Sequence, residues 1–179
     1  MRKKIKTIFT DKELLHKTVT VYGWIKTLRS QKTFTFIELN DGSAFSNLQI
    51  VADSTVLNTE LLNQLTTGAA IEVHGKVLQS PGKNQAVEVH AEKLKLIGPC
   101  PADFPLQKKR HSFEYLRTIA HLRPRTNTQR AVLKVRNDLA FATHLFFQEK
   151  GFIYIQAPII TASDCEGGGE LFRVTTLDS

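Results

Sequence analysis

The sequence predicts a small five-stranded β-barrel, followed by the beginning of an α/β domain. Two observations predict the barrel: residues 18–98 form short alternating runs of β-branched and aromatic side chains, and turn residues separate these runs. A long helical pattern that follows a Pro-rich connector predicts the second domain. At 179 residues, the chain has room for one full domain, or for a small domain and part of another.

Five runs have the pattern of strands, at residues 18–29, 34–40, 46–51, 70–77 and 86–96. Between the second and third strands, the sequence NDGS predicts a tight turn, with Gly42 at the position that needs a positive φ. Residues 55–65 have helical spacing, and we expect Asp53 or Ser54 to cap this helix and Gly68 to follow its end.

Five strands with a helix between the third and fourth is the order of the OB-fold, a barrel whose central strands commonly bind oligonucleotides. An SH3-like barrel or a structural β-domain without a ligand has a similar pattern. Periodicity alone leaves these alternatives open.

The second part of the chain begins after residues 98–105, whose sequence GPCPADFP predicts a stiff connector. A short helix is expected at residues 111–122, and a long one from Thr126 or Asn127 to Gly151. One face of the long helix is apolar, with Val132, Val135, Leu139, Ala142 and Phe146. Residues 152–157 have a strand pattern whose pairing partners would have to come from other sequence. We therefore expect the opening of a larger domain.

The net charge of +7 is unevenly distributed along the chain. Residues 1–17 carry +4 and residues 107–136 carry +8, whereas residues 18–106 carry −1. Two basic segments that flank a nearly neutral barrel suggest a polyanionic partner such as nucleic acid.

Other functional classes lack support in the sequence. There is no Walker-type phosphate loop, no zinc-spaced Cys/His cluster and no run long enough to span a membrane. The two cysteines, Cys100 and Cys165, do not make a disulfide framework, and no signal peptide is recognisable. We expect a cytoplasmic protein without a metal site.

The predicted barrel offers a candidate site for unpaired bases. Phe34 and Phe36 have the same parity, so one face of the second strand carries both rings. An aromatic ring beside the amide of Gln49 and the cation of Arg29 could stack on a base and bind its polar edge. The alternative is that both phenylalanines fill the barrel core.

Three segments of the chain resemble one known family. Residues 21–51, VYGWIKTLRSQKTFTFIELNDGSAFSNLQIV, are similar to the anticodon-binding OB domain of the aspartate/asparagine/lysine subgroup of class II aminoacyl-tRNA synthetases. Residues 105–128, PLQKKRHSFEYLRTIAHLRPRTNT, resemble the hinge of the asparagine-specific members, which disfavours an aspartyl-type enzyme. Residues 150–160, KGFIYIQAPII, resemble the first class II motif, with Ala157 where Thr is common.

The resemblance implies a domain organisation and a set of sites. It implies an anticodon-binding domain at 1–98, a basic hinge at 99–125, and the incomplete start of an α+β catalytic domain at 126–179. Compared with the family position by position, Phe36 matches the aromatic residue that stacks on an anticodon base, and Gln49 and Arg29 match polar residues that recognise the anticodon. Glu166 and Gly167, with Ser163 nearby, match the mobile loop that binds the amino acid. We also expect Lys108, Lys109 and Arg110 to contact the tRNA backbone.

The implied activity of the full protein is that of an asparagine–tRNA ligase in translation. ATP and L-asparagine form asparaginyl-adenylate with Mg²⁺ as cofactor, and tRNA(Asn) then accepts the amino acid. The second and third motifs of the class are missing from these residues, so we expect this chain to bind the anticodon without catalysis, and without binding ATP or Mg²⁺. We expect a homodimer through the long helix. The remaining alternative is a stand-alone OB module that binds RNA or protein.

Overall fold

The computed structural model of the chain describes residues 2–82, 85–161, 172, 174 and 175. The chain forms two compact units, Met1–Leu133 and Lys134–Ser179. The first unit contains the β-barrel, the connector (residues 99–125) and the first turns of the long helix. The second contains the rest of that helix and the segment after it.

The barrel consists of β1 (Thr18–Ser30), β2 (Phe34–Asn40), β3 (Leu48–Asp53), β4 (Ala70–Gln79) and β5 (Val87–Gly98). These strands close in the order β1-β2-β3-β5-β4. β3 pairs with β5 in parallel, while the other pairs are antiparallel. The predicted five-stranded OB-fold barrel is therefore confirmed, and each predicted strand is present with its ends shifted by a few residues at most.

Alternation along the strands separates a closed apolar core from an outer face. In β2, Ile37 and Leu39 are buried inside the barrel, whereas Phe34 is 40% exposed and Phe36 is half-buried. In β3, Leu48 and Ile50 point inward with no exposed surface. The alternative in which both phenylalanines fill the core is thus wrong, because successive strand residues point to opposite faces.

The turn between β2 and β3 is ordered by its own side chains. Gly42 has a φ of +80°, as predicted. The Asn40 side chain accepts a hydrogen bond from the backbone N–H of Gly42 (2.9 Å), and Asp41 accepts one from that of Ser43 (2.9 Å). These Asx-type contacts hold the tip of the hairpin in one geometry.

A short helix, α1 (Ile5–Thr10), lies ahead of the barrel and buries Ile5 and Ile8 in the core. Its first N–H groups are capped from a distance, because the N–H of Ile5 donates to the Asp41 carboxylate (3.0 Å) and that of Lys6 donates to the Ser43 hydroxyl (3.0 Å). The basic N-terminal segment is thereby attached to the β2–β3 turn.

The helix between β3 and β4, α2 (Thr59–Gln64), begins four residues later than predicted. Asn58 is its cap and accepts a hydrogen bond from the N–H of Leu61 (2.8 Å), so the expected cap at Asp53 or Ser54 is wrong. Asp53 accepts from the N–H of Thr55 (2.8 Å) in a turn instead, and this hydrogen bond lowers the pKa of its carboxyl group. Gly68 follows the helix with a φ of +93°.

In the described part of the chain, two α-helices follow the barrel, with a short 3-10 helix (Arg123–Arg125) between them. α3 (Phe113–Thr118) lies in the connector, and α4 (Asn127–Glu149) is the predicted long helix. Gly151 follows α4 with a φ of +83°, which is the expected C-terminal cap conformation. Residues 152–157, all of them described, do not form the predicted strand, since they do not pair with any described strand. In the described part of the chain, no helix is long and apolar enough to cross a membrane.

Candidate nucleic-acid interface

The outer face of β1, β2 and β3 carries the three residues predicted to recognise bases. Phe36 lies directly opposite Arg29 in the β1–β2 register, and Gln49 lies opposite Glu38 in the β2–β3 register. Because Phe36 pairs with Val51, Gln49 is its diagonal neighbour, and such neighbours are within reach of aromatic and long side chains. We call Arg29, Phe36, Glu38 and Gln49 the β1–β3 patch.

The patch combines the chemical groups that bind unpaired bases. Phe36 and Gln49 are half-buried, so a part of each side chain is available to a ligand, and Arg29 is exposed. A phenyl ring with one accessible face can stack on a base, and a neighbouring amide or guanidinium group can hydrogen-bond the edge of that base. The structure therefore brings Arg29, Phe36 and Gln49 together on one surface.

Gln49 is oriented by a carboxylate that the sequence analysis did not single out. Its amide nitrogen donates to Oε2 of Glu88 in β5 (3.0 Å), and Glu88 is only 5% exposed. Oε2 also accepts from the Ser80 hydroxyl (2.9 Å) and the Gln85 amide (3.3 Å), while Oε1 lies 2.8 Å from Nε2 of His90. With its nitrogen directed at Glu88, the Gln49 amide can use its oxygen to accept a hydrogen bond from a donor such as the N3–H of uracil.

The parallel β3–β5 pairing is what brings Glu88 next to Gln49. It aligns Ile50 with Val89 and Val51 with His90, so the outward-facing side chains of the two strands meet. A sequence pattern can predict that β5 exists, but it cannot show that Glu88 lies beside a residue 39 positions earlier in the chain. A glutamate at an outward position of a strand is otherwise an ordinary surface residue.

The three predicted backbone-binding cations lie on the connector. Lys108, Lys109 and Arg110 are all exposed. Together with Lys26 and Arg125 they line a cavity of about 1120 Å³ within the first unit. The connector cations are therefore part of a wider basic surface, which the high charge of residues 107–136 indicated and to which Lys26 of β1 also contributes.

The positive charges in this cavity are close enough to affect one another. Lys26 donates from Nζ to the backbone carbonyl of Arg125 (2.7 Å), and the Arg125 guanidinium lies 4.6 Å from the centre of the Trp24 ring. Burial lowers the pKa of Lys26, and the charges of Arg130 and Arg125 lower it further. Cations that repel one another in a partly desolvated cavity favour binding of an anion such as phosphate.

The remaining predicted residues, Ser163, Glu166 and Gly167, lie outside the described residues. Among the residues that the structure describes, no group of His, Cys, Asp or Glu side chains could hold a metal ion.

Comparison with known proteins agrees with the barrel and with the segment after it. The family of OB-fold nucleic acid binding domains matches residues 19–97, and that of class II tRNA synthetases (D, K and N) matches residues 112–178. An asparagine–tRNA ligase of Microcystis aeruginosa is 56% identical over 179 residues, and one of a Synechocystis species is 60% identical over 162 residues. The chain is homologous to the N-terminal portion of asparagine–tRNA ligases.

Solved structures of asparaginyl-tRNA synthetases have the same architecture. The enzyme of Pyrococcus horikoshii, complexed with asparaginyl-adenylate, matches with a TM-score of 0.85 and 26% identity over 98% of this chain and 40% of that one. The enzyme of Entamoeba histolytica, also in complex with asparaginyl-adenylate, matches with a TM-score of 0.77 and 25% identity over 91% of this chain and 39% of that one. An aspartyl-tRNA synthetase of the same organism, 14% identical, shows the fold alone.

The extent of these matches also has a clear limit. The match with the Microcystis ligase includes 99% of this chain but only 39% of the ligase. The match with the Synechocystis ligase includes 89% of this chain and 35% of the ligase. The chain thus spans about two fifths of the length of the asparagine–tRNA ligases that it matches.

Proposed function

We propose that this chain is the anticodon-binding portion of an asparagine–tRNA ligase, and that the β1–β3 patch binds the anticodon of tRNA(Asn). The observation that carries the proposal is the juxtaposition of Phe36 and Gln49 on the outer face of an OB-fold barrel, with Arg29 opposite Phe36. Homology to asparagine–tRNA ligases over nearly the whole chain supports the choice of tRNA.

In this proposal, Phe36 stacks on an anticodon base and Gln49 recognises the central uridine. Stacking of a base on an aromatic side chain stabilises a complex by about 1–3 kcal/mol. The Gln49 amide, oriented by Glu88, accepts a hydrogen bond from N3–H of uracil, which the unprotonated N3 of cytosine cannot donate. Arg29 adds a donor for the edge of a base or for a phosphate.

The connector cations hold the tRNA backbone in this proposal. The barrel segment, residues 18–106, has a net charge of −1 and cannot attract a polyanion by charge alone. Lys108, Lys109 and Arg110, with the neighbouring Lys26 and Arg125, supply the electrostatic attraction that is independent of sequence.

For the whole protein we propose synthesis of asparaginyl-tRNA from L-asparagine, ATP and tRNA(Asn), with Mg²⁺ as cofactor. Residues 1–98 would be the anticodon-binding domain, 99–125 the hinge and 126–179 the start of the catalytic domain. Ser163, Glu166 and Gly167 would contribute to the asparagine site, where a carboxylate can pair with the α-ammonium group of the substrate. The 179-residue chain by itself would bind RNA without catalysing either step, in the cytoplasm.

We also propose that α4 forms a homodimer interface. Its predicted apolar face is open to solvent, with Val135 56%, Leu139 62% and Phe146 55% exposed. Large apolar side chains exposed along one helix are typical of a surface that another protein covers. Measuring the molar mass of the chain and of its Leu139→Glu variant in solution tests this proposal. We expect a dimer for the chain and a monomer for the variant, and a monomer in both cases contradicts the proposal.

The anticodon proposal is tested by fluorescence anisotropy with two RNA stem-loops. One has the asparagine anticodon, and the other differs only by cytidine in place of the central uridine. We expect tighter binding of the first, because one well-formed base contact discriminates by about 1–3 kcal/mol. Equal affinity for both would overturn anticodon recognition and favour a general RNA-binding OB module. Pyrophosphate exchange with asparagine and this chain alone would overturn the proposal that it is inactive.

A further inference from the structure

A directed series of hydrogen bonds connects the first turn of α4 with the β1–β3 patch. Arg130 donates from Nη1 to Oδ1 of Asn40 (2.8 Å). Asn40 donates from Nδ2 to Oδ1 of Asn47 (3.0 Å), and Asn47 donates from Nδ2 to Oε2 of Glu38 (3.1 Å). We call these four residues the Arg130–Glu38 network.

The polarity of the network is fixed at both ends. A guanidinium group can only donate hydrogen bonds and an ionised carboxylate can only accept them, so both amides between them must direct their oxygen toward Arg130 and their nitrogen toward Glu38. The backbone N–H of Gly42 also donates to Oδ1 of Asn40 (2.9 Å), which supports the same amide orientation. Consistent polarity strengthens each hydrogen bond in such a series.

Arg130 is held firmly at its end of the network. Its Nη2 group donates to the backbone carbonyl of Phe45, and its guanidinium carbon lies 4.8 Å from the centre of the Phe45 ring. Asn40, the first acceptor, is 5% exposed. The contact between Arg130, which is half-buried, and Asn40 is therefore partly shielded from water, and a hydrogen bond to a charged group contributes more there than at the open surface.

The other end of the network lies within the proposed base-binding surface. Glu38 pairs with Gln49 across β2 and β3, and it is two residues from Phe36 on the same face of β2. An unanchored carboxylate at this position would be a second acceptor for the Gln49 amide nitrogen. It would compete with Glu88 and turn the amide away from the orientation that suits uracil.

We propose that Arg130 is a positioning residue for base recognition, and that it acts through Asn40 and Asn47 to hold the Glu38 carboxylate away from the Gln49 amide. This inference rests on the proposed anticodon function. It assigns part of the selectivity for the central base to the first turn of α4, a segment outside the barrel strands.

The experiment compares the 179-residue chain with its Arg130→Ala and Asn47→Leu variants, using the two stem-loops described above. We expect each variant to bind the asparagine stem-loop about three- to tenfold more weakly, and to lose most of the preference for uridine, as is typical of contacts within one network. The double variant should be no weaker than the worse single variant. Arg136→Ala, which removes an exposed charge from the same helix, is the control and should bind normally.

A second measurement does not need RNA. Side-chain amide signals of Asn47 and Gln49 in ¹⁵N-resolved NMR spectra should shift in Arg130→Ala and stay in place in Arg136→Ala. Unchanged signals together with unchanged affinity and preference in Arg130→Ala would overturn the positioning role. If the Arg130→Ala variant does not fold, the Asn47→Leu variant tests the positioning role instead, because it interrupts the network without changing a residue of α4. A wild-type chain that does not distinguish the stem-loops would instead overturn the proposed function.

Discussion

The amide of Gln49 in β3 is bonded to the carboxylate of Glu88 in β5, 39 positions later in the sequence. Glu88 is almost completely buried, and the side chains of Ser80, Gln85 and His90 surround the same carboxylate. Burying a carboxylate costs free energy unless hydrogen bonds from neighbouring donors compensate for the lost water. The orientation of Gln49 is thus set by a cluster of side chains from β5 and from the hairpin between β4 and β5.

Glu88→Gln should weaken base recognition more than it disturbs the barrel. The new amide can still accept at its oxygen, but its NH₂ group would face donors, and such a mismatch costs about 1–3 kcal/mol. We expect a lower urea midpoint and a reduced preference for the stem-loop with central uridine. Glu92→Gln, an exposed site on the same strand, is the matched control. Full retention of the preference in Glu88→Gln would show that Gln49 is oriented by other groups.

Phe36→Ala should reduce affinity for the asparagine stem-loop by about 1–3 kcal/mol, because the stacking platform is lost. Phe36→Trp keeps an aromatic face and should retain most of the affinity, whereas Phe36→Leu keeps apolar area without stacking and should resemble Ala. Isothermal titration calorimetry measures the three variants. Phe141→Ala, which removes an exposed ring from α4, controls for general loss of an aromatic side chain. Equal affinities of the Phe36→Leu and Phe36→Trp variants for the stem-loop would exclude stacking.

Replacing Lys108, Lys109 and Arg110 together by Ala should weaken binding of tRNA(Asn) without changing its base preference. A plot of log affinity against log salt concentration has a negative slope, and each lost phosphate contact makes that slope less steep by about 0.7–0.9. Affinity measured at several salt concentrations gives this slope. The Lys93→Ala, Lys95→Ala double variant removes exposed charge from β5 and should have a smaller effect. An unchanged slope in the triple variant would place the connector away from the RNA backbone.

Gly75→Ala should destabilise the barrel by about 2–3 kcal/mol, since an added methyl group overpacks the β4–β5 pair. A Cβ atom there would lie 2.2 Å from the carbonyl oxygen of His90 and 2.9 Å from Cα of Ala91, and neither backbone atom can move alone. Gly98→Ala is the control, because its Cβ would meet only the Cβ of Ala70 at 3.9 Å. Urea unfolding followed by circular dichroism measures the free energy of unfolding of both variants. Equal values would contradict the close packing of Gly75 against the backbone of His90 and Ala91.

Local sequence patterns were sufficient to predict the five strands, one tight turn and the glycines that follow two of the helices. Alternation located all five strands, and Gly42, Gly68 and Gly151 each have the positive φ expected from their positions. These features depend on residues close in sequence, so a single chain displays them. The same alternation indicated that Phe34 and Phe36 share a face, although it could not show that this face points outward.

Features that depend on distant residues were not predictable. The cap of α1 comes from Asp41 and Ser43, more than 30 residues away, and Glu88 meets Gln49 only because β3 and β5 are neighbours. For α2 the error was local: Asp53 and Asn58 are both good caps, and the turn formed by Asp53 with Thr55 moved the helix start to Asn58. Competing local hydrogen bonds of nearly equal energy decide such cases.

The parallel pairing of β3 with β5 also constrains the order of events during folding. Hairpins β1–β2 and β2–β3 can form from adjacent residues, but the contact between Gln49 and Glu88 requires closure of a loop that includes α2 and β4. A ribosome that has released only the first three strands would therefore expose Phe36 without an oriented Gln49. Selectivity for a base would arise late in synthesis, after β5 has emerged and joined the barrel.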